Sequence, residues 1–290
     1  MLRRQILAAA SCGVACCAFP AIAVEPKPTR ARALIISNSY FNDLYLANTR
    51  SDGILIGERL RALKFKSVDR VEDAGEEALR ARLAGFRSML SFNELALVYI
   101  AGHGVQIGDE NYLLLGDGLT FLNISSIIES VRQTASSMIV MLDACRNRPF
   151  EQLPEGMRIA RAVTKRGIRD AGSLEMKVAT LSTSSSIATV KAFQIRGTGV
   201  KIVFATDPQN VALDAVDSKQ RNSPFAIAIA KRLAERKSLD DVVSLATGDV
   251  VRATNGDQSP WSQGSIGEPI FLAGPPENKN PARPPFQVPG

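Results

Sequence analysis

The sequence predicts an α/β fold built on a largely parallel sheet, and two observations predict it. Residues 32–37, 95–100, 138–142 and 200–206 are apolar almost without interruption, as strands covered on both faces are. Between them lie segments whose apolar residues recur at helical spacing. Strand alternating with helix is the pattern of crossover connections and hence of a parallel sheet. A chain of 290 residues, 45% apolar and 22% charged, has ample length and composition to bury such a core.

The elements follow in order. Residues 1–23 read as a secretory signal peptide: Arg3 and Arg4 form a basic start, an apolar stretch follows from Ile6, and Ala21-Ile22-Ala23 is a small-residue cleavage site. The paired arginines also resemble a twin-arginine signal, so the expected location is periplasmic or secreted. The apolar run is too short to span a bilayer, and no membrane association is expected once it is cleaved. A linker, 24–31, leads to a core domain, 32–273. The first strand, 32–37, is followed by a helix over 50–63 with Ser51 or Asp52 placed to cap it. A short strand at 67–71 precedes a second helix carrying Leu79, Leu83, Phe86 and Leu90 on one face.

The strand 95–100 runs straight into Ala101-Gly102-His103-Gly104. A small hairpin around 111–117, a helix near 125–133 and the strand 138–142 come next, the last ending in Asp143-Ala144-Cys145. Residues 151–199 break the rhythm and read as a long excursion, basic at first and rich in Ser and Thr later. The core resumes at 200–206. Two helices follow, near 223–236 and 238–254, the second opened by a capping box of Ser238 and Asp241. Residues 269–272 read as the last strand, and 274–290 as a Pro-rich unstructured tail.

The smallest counts restrict the chemistry most. There is one histidine, His103, and there are four cysteines, three of which (Cys12, Cys16, Cys17) lie inside the leader. A processed chain keeps only Cys145, so it can form no internal disulfide. So few ligands argue against a zinc site of Cys and His, oxygen-ligand sites for calcium or magnesium stay open, and no metal ligand set is assigned. Removing Arg3 and Arg4 lowers the net charge from +6 to +4, and no lysine-arginine block argues for nucleic acid.

His103 and Cys145 each follow a buried strand, and ligands of parallel α/β sheets bind at the carboxyl ends of strands. An imidazole within hydrogen-bond reach of a thiol raises its thiolate fraction. The glycines flanking His103 allow a tight turn, and the amides of Gly104 and Cys145 suit an oxyanion hole. The plainer readings are a loop histidine satisfied by backbone, an inert buried thiol, an N-cap for Asp52, and turn contacts for Asp143.

These segments resemble a known family. Tyr99-Ile100-Ala101-Gly102-His103-Gly104 and Leu142-Asp143-Ala144-Cys145-Arg146-Asn147 look like the His and Cys motifs of bacterial caspase-like proteases, the metacaspase and orthocaspase group. Glu110-Asn111-Tyr112-Leu113-Leu114, Asn222-Ser223-Pro224-Phe225 and Ser259-Pro260-Trp261 match as well, so the resemblance covers most of the core domain.

The resemblance implies a caspase-like fold, a mainly parallel six-stranded sheet sandwiched between helices. It implies a Cys-His dyad with Cys145 as nucleophile and His103 as base, acting on protein or peptide through a thioester. Relatives cut after Arg or Lys using acidic residues in the pocket for the substrate's P1 side chain. Asp143 matches the aspartate two before the catalytic cysteine, and Asp52 the one at the start of the first helix. Two carboxylates favour a cationic partner.

The family's usual Asn-Asp pair reads Ser51-Asp52 here, and its Arg-Asp-Asn-Pro reads Arg146-Asn147-Arg148-Pro149. No cofactor is required for the chemistry; calcium activation is a family trait, but no acidic cluster in the sequence identifies a site. Self-cleavage within 151–199, at Lys165, Arg166, Arg169 or Lys177, is a further expectation. The alternatives are a non-catalytic caspase-fold binding module and a cysteine hydrolase of non-protein amides. The sequence leaves the oligomeric state open.

Overall fold

The computed structural model describes residues 30–39, 45–107, 110–118, 120–144, 158–160, 199–207, 212–217 and 219–277. The expected leader, Cys145, nearly all of the 151–199 excursion with its four proposed cut points, and most of the tail lie outside the described residues.

Six strands form the main sheet: β1 (Ala31–Ser37), β2 (Ser67–Glu72), β3 (Leu95–Gly102), β7 (Ser137–Ala144), β9 (Val200–Phe204) and β10 (Trp261–Ser265). Their order is β10-β9-β7-β3-β1-β2, parallel throughout except for β10, which runs antiparallel to β9. A second, four-stranded sheet contains β4 (Gly104–Ile107), β5 (Glu110–Leu114), β6 (Thr120–Asn123) and β8 (Arg158–Ala160). Where one hairpin was expected around 111–117, β4, β5 and β6 make an antiparallel meander. Three residues of the expected excursion join it as β8.

Among the described residues the helices are α1 (Thr49–Ala62), α2 (Glu76–Met89), α3 (Ile124–Arg132), α4 (Pro224–Arg232) and α5 (Leu239–Ala253). The two-residue period of the strands divides the core between them. Leu34, Ile36, Val98, Ile100, Val140 and Leu142 pack with α2 and α3 on one face. Ala33, Ile35, Leu97, Tyr99, Ile139 and Met141 pack with α1, α4 and α5 on the other. Burial on both faces explains why these strands read as unbroken apolar runs. Asp143 shares parity with Ile139 and Met141, so it belongs to the α1/α4 face.

Two expectations fail, each for a physical reason. Among the described residues the last strand is 261–265, not 269–272. Trp-Ser-Gln-Gly-Ser is an edge strand, half exposed, with polar side chains between its ladder bonds. Ile270 and Leu272 are apolar because they pack against the α4/α5 layer, and Ile270 gives its carbonyl to the Leu239 amide. The cap of α1 is Asn48, one turn earlier than read, and its side chain makes no capping bond. Asp52 therefore sits inside the first turn of α1, where capping does not account for it. The Ser238 cap of α5 does form: its Oγ accepts from the Asp241 amide and donates to the Asp241 carboxylate.

Close packing sets α1 against the sheet. A Cβ on Gly53 would meet Ser37 Oγ at 2.3 Å and Ile35 Cγ2 at 3.1 Å, so the glycine lets the helix lie directly on β1. That approach brings Asp52 to the carboxyl end of the sheet.

Candidate active site

The site lies at the carboxyl ends of β1, β3 and β7. In the β3–β7 register, Gly102 stands opposite Ala144. His103 follows the first and Cys145 the second in the chain. The register thus ends the two strands level, immediately before the two expected dyad residues; Cys145 itself is outside the described residues.

Gly102 is needed for the turn into His103. Its φ is 156°, and a Cβ there would lie 2.9 Å from the carbonyl oxygen of Asn38. His103 is half-buried, and its carbonyl accepts from the Leu114 amide at 2.9 Å. That bond makes 103–114 the hydrogen-bonded pair, so the neighbouring pair Gly104–Leu113 is the non-bonded one. The Gly104 N–H consequently turns away from β5. Asn38 braces the same corner, its amide donating to Ala101 and its Nδ2 to the Leu114 carbonyl at 2.9 Å.

Asp143 and Asp52 are brought together, with Ser223 between them. Asp143 is buried, and its Oδ2 accepts from Tyr99 Oη at 2.8 Å and from Ser223 Oγ at 2.6 Å. Asp52, also buried, accepts at Oδ1 from Asn222 Nδ2 and from the Ser223 amide, both at 2.9 Å. The elements explain the meeting. Asp52 comes from the first turn of α1, Asp143 from the end of β7, and Ser223 is the N-cap of α4, its Oγ accepting from the Ala226 amide.

A third carboxylate, Asp214, escaped the sequence reading. It lies between β9 and α4, where Asn48 Nδ2 donates to its carbonyl at 2.7 Å and the Ala47 and Asn48 amides donate to its carboxylate. Burial raises its carboxyl above the ordinary 3.8, while those amides and the nearby His103 charge draw it down.

The pair is strained electrostatically. Burial, and then the charge of Asp143, pushes the Asp52 carboxyl well above the ordinary carboxylate range, against the bonds from Asn222 and Ser223. Burial raises Asp143 likewise; the Ser223 and Tyr99 hydroxyls oppose this and Asp214 adds to it. Tyr99, fully buried beside these acids, is held above its ordinary 10.0, mainly by burial. A buried group of carboxylates that resists ionisation is a place where a cation gains and an anion loses. Among the described residues, no group of three or more His, Cys, Asp or Glu is arranged to hold a metal ion.

The family model of the caspase domain matches residues 30–271, the whole of the main sheet and its helices. The chain belongs to the caspase domain family. That family is one of cysteine peptidases, hydrolases of protein substrates. The crystal structure of caspase-1 from Spodoptera frugiperda is similar to this caspase domain, with a TM-score of 0.57. The two are 14% identical over 86% of this chain and 92% of that one, a likeness of fold. No curated protein sequence matches the chain.

Proposed function

We propose that this caspase-domain protein is an exported cysteine endopeptidase of the metacaspase and orthocaspase type, cutting after Arg or Lys. The observation that carries the reading is the level ending of β3 and β7 before His103 and Cys145, beside the Asp52–Ser223–Asp143 group.

In this mechanism His103 takes the proton of the Cys145 thiol, and the sulfur attacks the carbonyl carbon of the scissile bond. The amides of Gly104 and Cys145 meet the developing oxyanion; the outward turn of the Gly104 N–H supports its part. The imidazolium gives its proton to the leaving amine, leaving a thioester on Cys145. Water, deprotonated by His103, then hydrolyses the thioester and regenerates the thiol. None of these steps calls on a cofactor, and a calcium titration of activity tests the activation known in the family.

Asp52 and Asp143 form the P1 pocket, with Asp214 adding charge beside His103. An arginine or lysine side chain supplies a cation to Asp52 and Asp143. Profiling hydrolysis across peptides that differ only at P1 tests the assignment. Turnover confined to basic P1 residues is expected. A preference for acidic or apolar P1 residues contradicts it, and turnover of non-peptide amides alone favours a hydrolase of another class.

A further inference from the structure

Tyr99 poses a question that packing alone does not answer. It is fully buried on the face of the sheet that carries α1, α4 and α5, among aliphatic neighbours where phenylalanine would fill the same space. A buried phenol must place its hydroxyl on a partner, and here that partner is Oδ2 of Asp143.

Ser223 places a second hydroxyl on the same oxygen. Both of its donors are committed. The amide donates to Asp52, the carbonyl accepts from the Ile227 amide, and Oγ accepts from the Ala226 amide while its one proton goes to Asp143. Several residues cap a helix well. Aspartate at this position would have no proton to give and would add another charge.

We propose that Tyr99 and Ser223 are positioning residues of the P1 pocket: their hydroxyls clamp Oδ2 of Asp143, and the Ser223 amide holds Oδ1 of Asp52. Each carboxylate is left with its other oxygen outside these bonds. The two remaining oxygens are thereby set in one arrangement for a guanidinium or ammonium group. The inference rests on the reading of Asp52 and Asp143 as the P1 pocket and adds the device that fixes and ionises it.

The clamp acts on charge as well as on orientation. Among the described residues, the groups facing the acid pair are Tyr99 from β3, Asp52 from α1 and Asp214 from the segment between β9 and α4, with the neutral Asn222 and Ser223 from the start of α4. The carboxylates and burial oppose ionisation, and the two hydroxyls favour it. Removing either hydroxyl moves the Asp143 carboxyl further up, so the basic substrate binds only at higher pH.

The test compares wild type with Tyr99→Phe, Ser223→Ala and Ser223→Thr, measuring KM and kcat against pH on peptides with Arg at P1. The Phe and Ala variants are expected to raise KM on the order of tenfold, the worth of one hydrogen bond to a charged group, with a smaller change in kcat. Both are expected to move the acid limb of kcat/KM to higher pH, and Ser223→Thr, which keeps the cap and the hydroxyl, to restore both quantities. Should Ser223→Ala fail to fold, Tyr99→Phe decides alone.

A wild type that prefers basic P1 residues, with unchanged KM and acid limb in the variants, overturns the clamp and leaves the pocket standing. Loss in kcat alone also overturns the clamp. A wild type with no basic preference overturns the pocket itself, and the clamp with it.

Discussion

Gly102 and Ala144 stand opposite each other at the carboxyl ends of adjacent parallel strands, each one residue before a member of the proposed dyad. Parallel register fixes this relation more firmly than loop geometry does, because every earlier pair from Leu95–Ser137 onward must slip for it to change. The two positions that lead into the proposed dyad are thus set by buried strands.

The turn at Gly102 is expected to tolerate no side chain. Gly102→Ala forces a left-handed φ of 156° on alanine and a 2.9 Å contact with a backbone carbonyl. A stability loss of about 2 kcal/mol is expected from denaturant unfolding. The fall in kcat/KM is expected to exceed it, since small displacements of a base cost about a hundredfold in rate. Unchanged stability and kinetics contradict the account.

Proton release on binding is expected from the acid pair. Burial raises the Asp52 and Asp143 carboxyls, so the resting pocket retains protons at pH values where exposed carboxyls have lost theirs. A cationic P1 group favours the ionised forms and expels those protons. Calorimetry of a P1-Arg inhibitor in buffers of differing ionisation enthalpy measures the release. Asp143→Asn is expected to reduce it and to weaken binding of the basic ligand, whereas equal heats in all buffers count against the pocket.

Away from the site, Glu94 offers a stability prediction with a definite sign. Burial works to raise its carboxyl, but Lys66, Arg32 at 2.9 Å and the Ser91 amide outweigh it and hold it at about 2, below the ordinary 4.5. A folded-state value below the unfolded one contributes stability above about pH 4.5, lost as pH falls through about 2. Screening around the exposed Lys66 reduces the contribution to about 1.5 kcal/mol. Glu94→Gln is expected to lose that amount near neutrality and to flatten the acid limb of a Tm-against-pH profile. An unchanged profile contradicts it.

The strands at the centre of the sheet are legible because burial on both faces leaves short apolar runs, and their length, with glycine or polar residues at their ends, separates them from a buried helix. The edge strand β10 is not, because Trp261–Ser265 needs only one neighbour and half its surface faces water. His103, Asp143 and Asp52 stand out as candidates in the sequence because their motifs are local. Asp214, Tyr99 and Ser223 meet that group only in space. The Asp52–Ser223 bond spans 171 positions and the Asp143–Ser223 bond 80, and no local spacing announces either. Ser223 did leave a trace, a cap residue followed by proline, which marks a helix start without saying what else the serine holds.

The central claim is that Cys145 and His103 carry peptide hydrolysis after basic residues. The most direct measurement compares the mature wild-type chain with Cys145→Ala on a fluorogenic peptide ending in Arg, with and without calcium. Cleavage by the wild type and none by the variant, with both chains equally folded, is the predicted result. Equal turnover by the two, or none by the wild type under either condition, contradicts it.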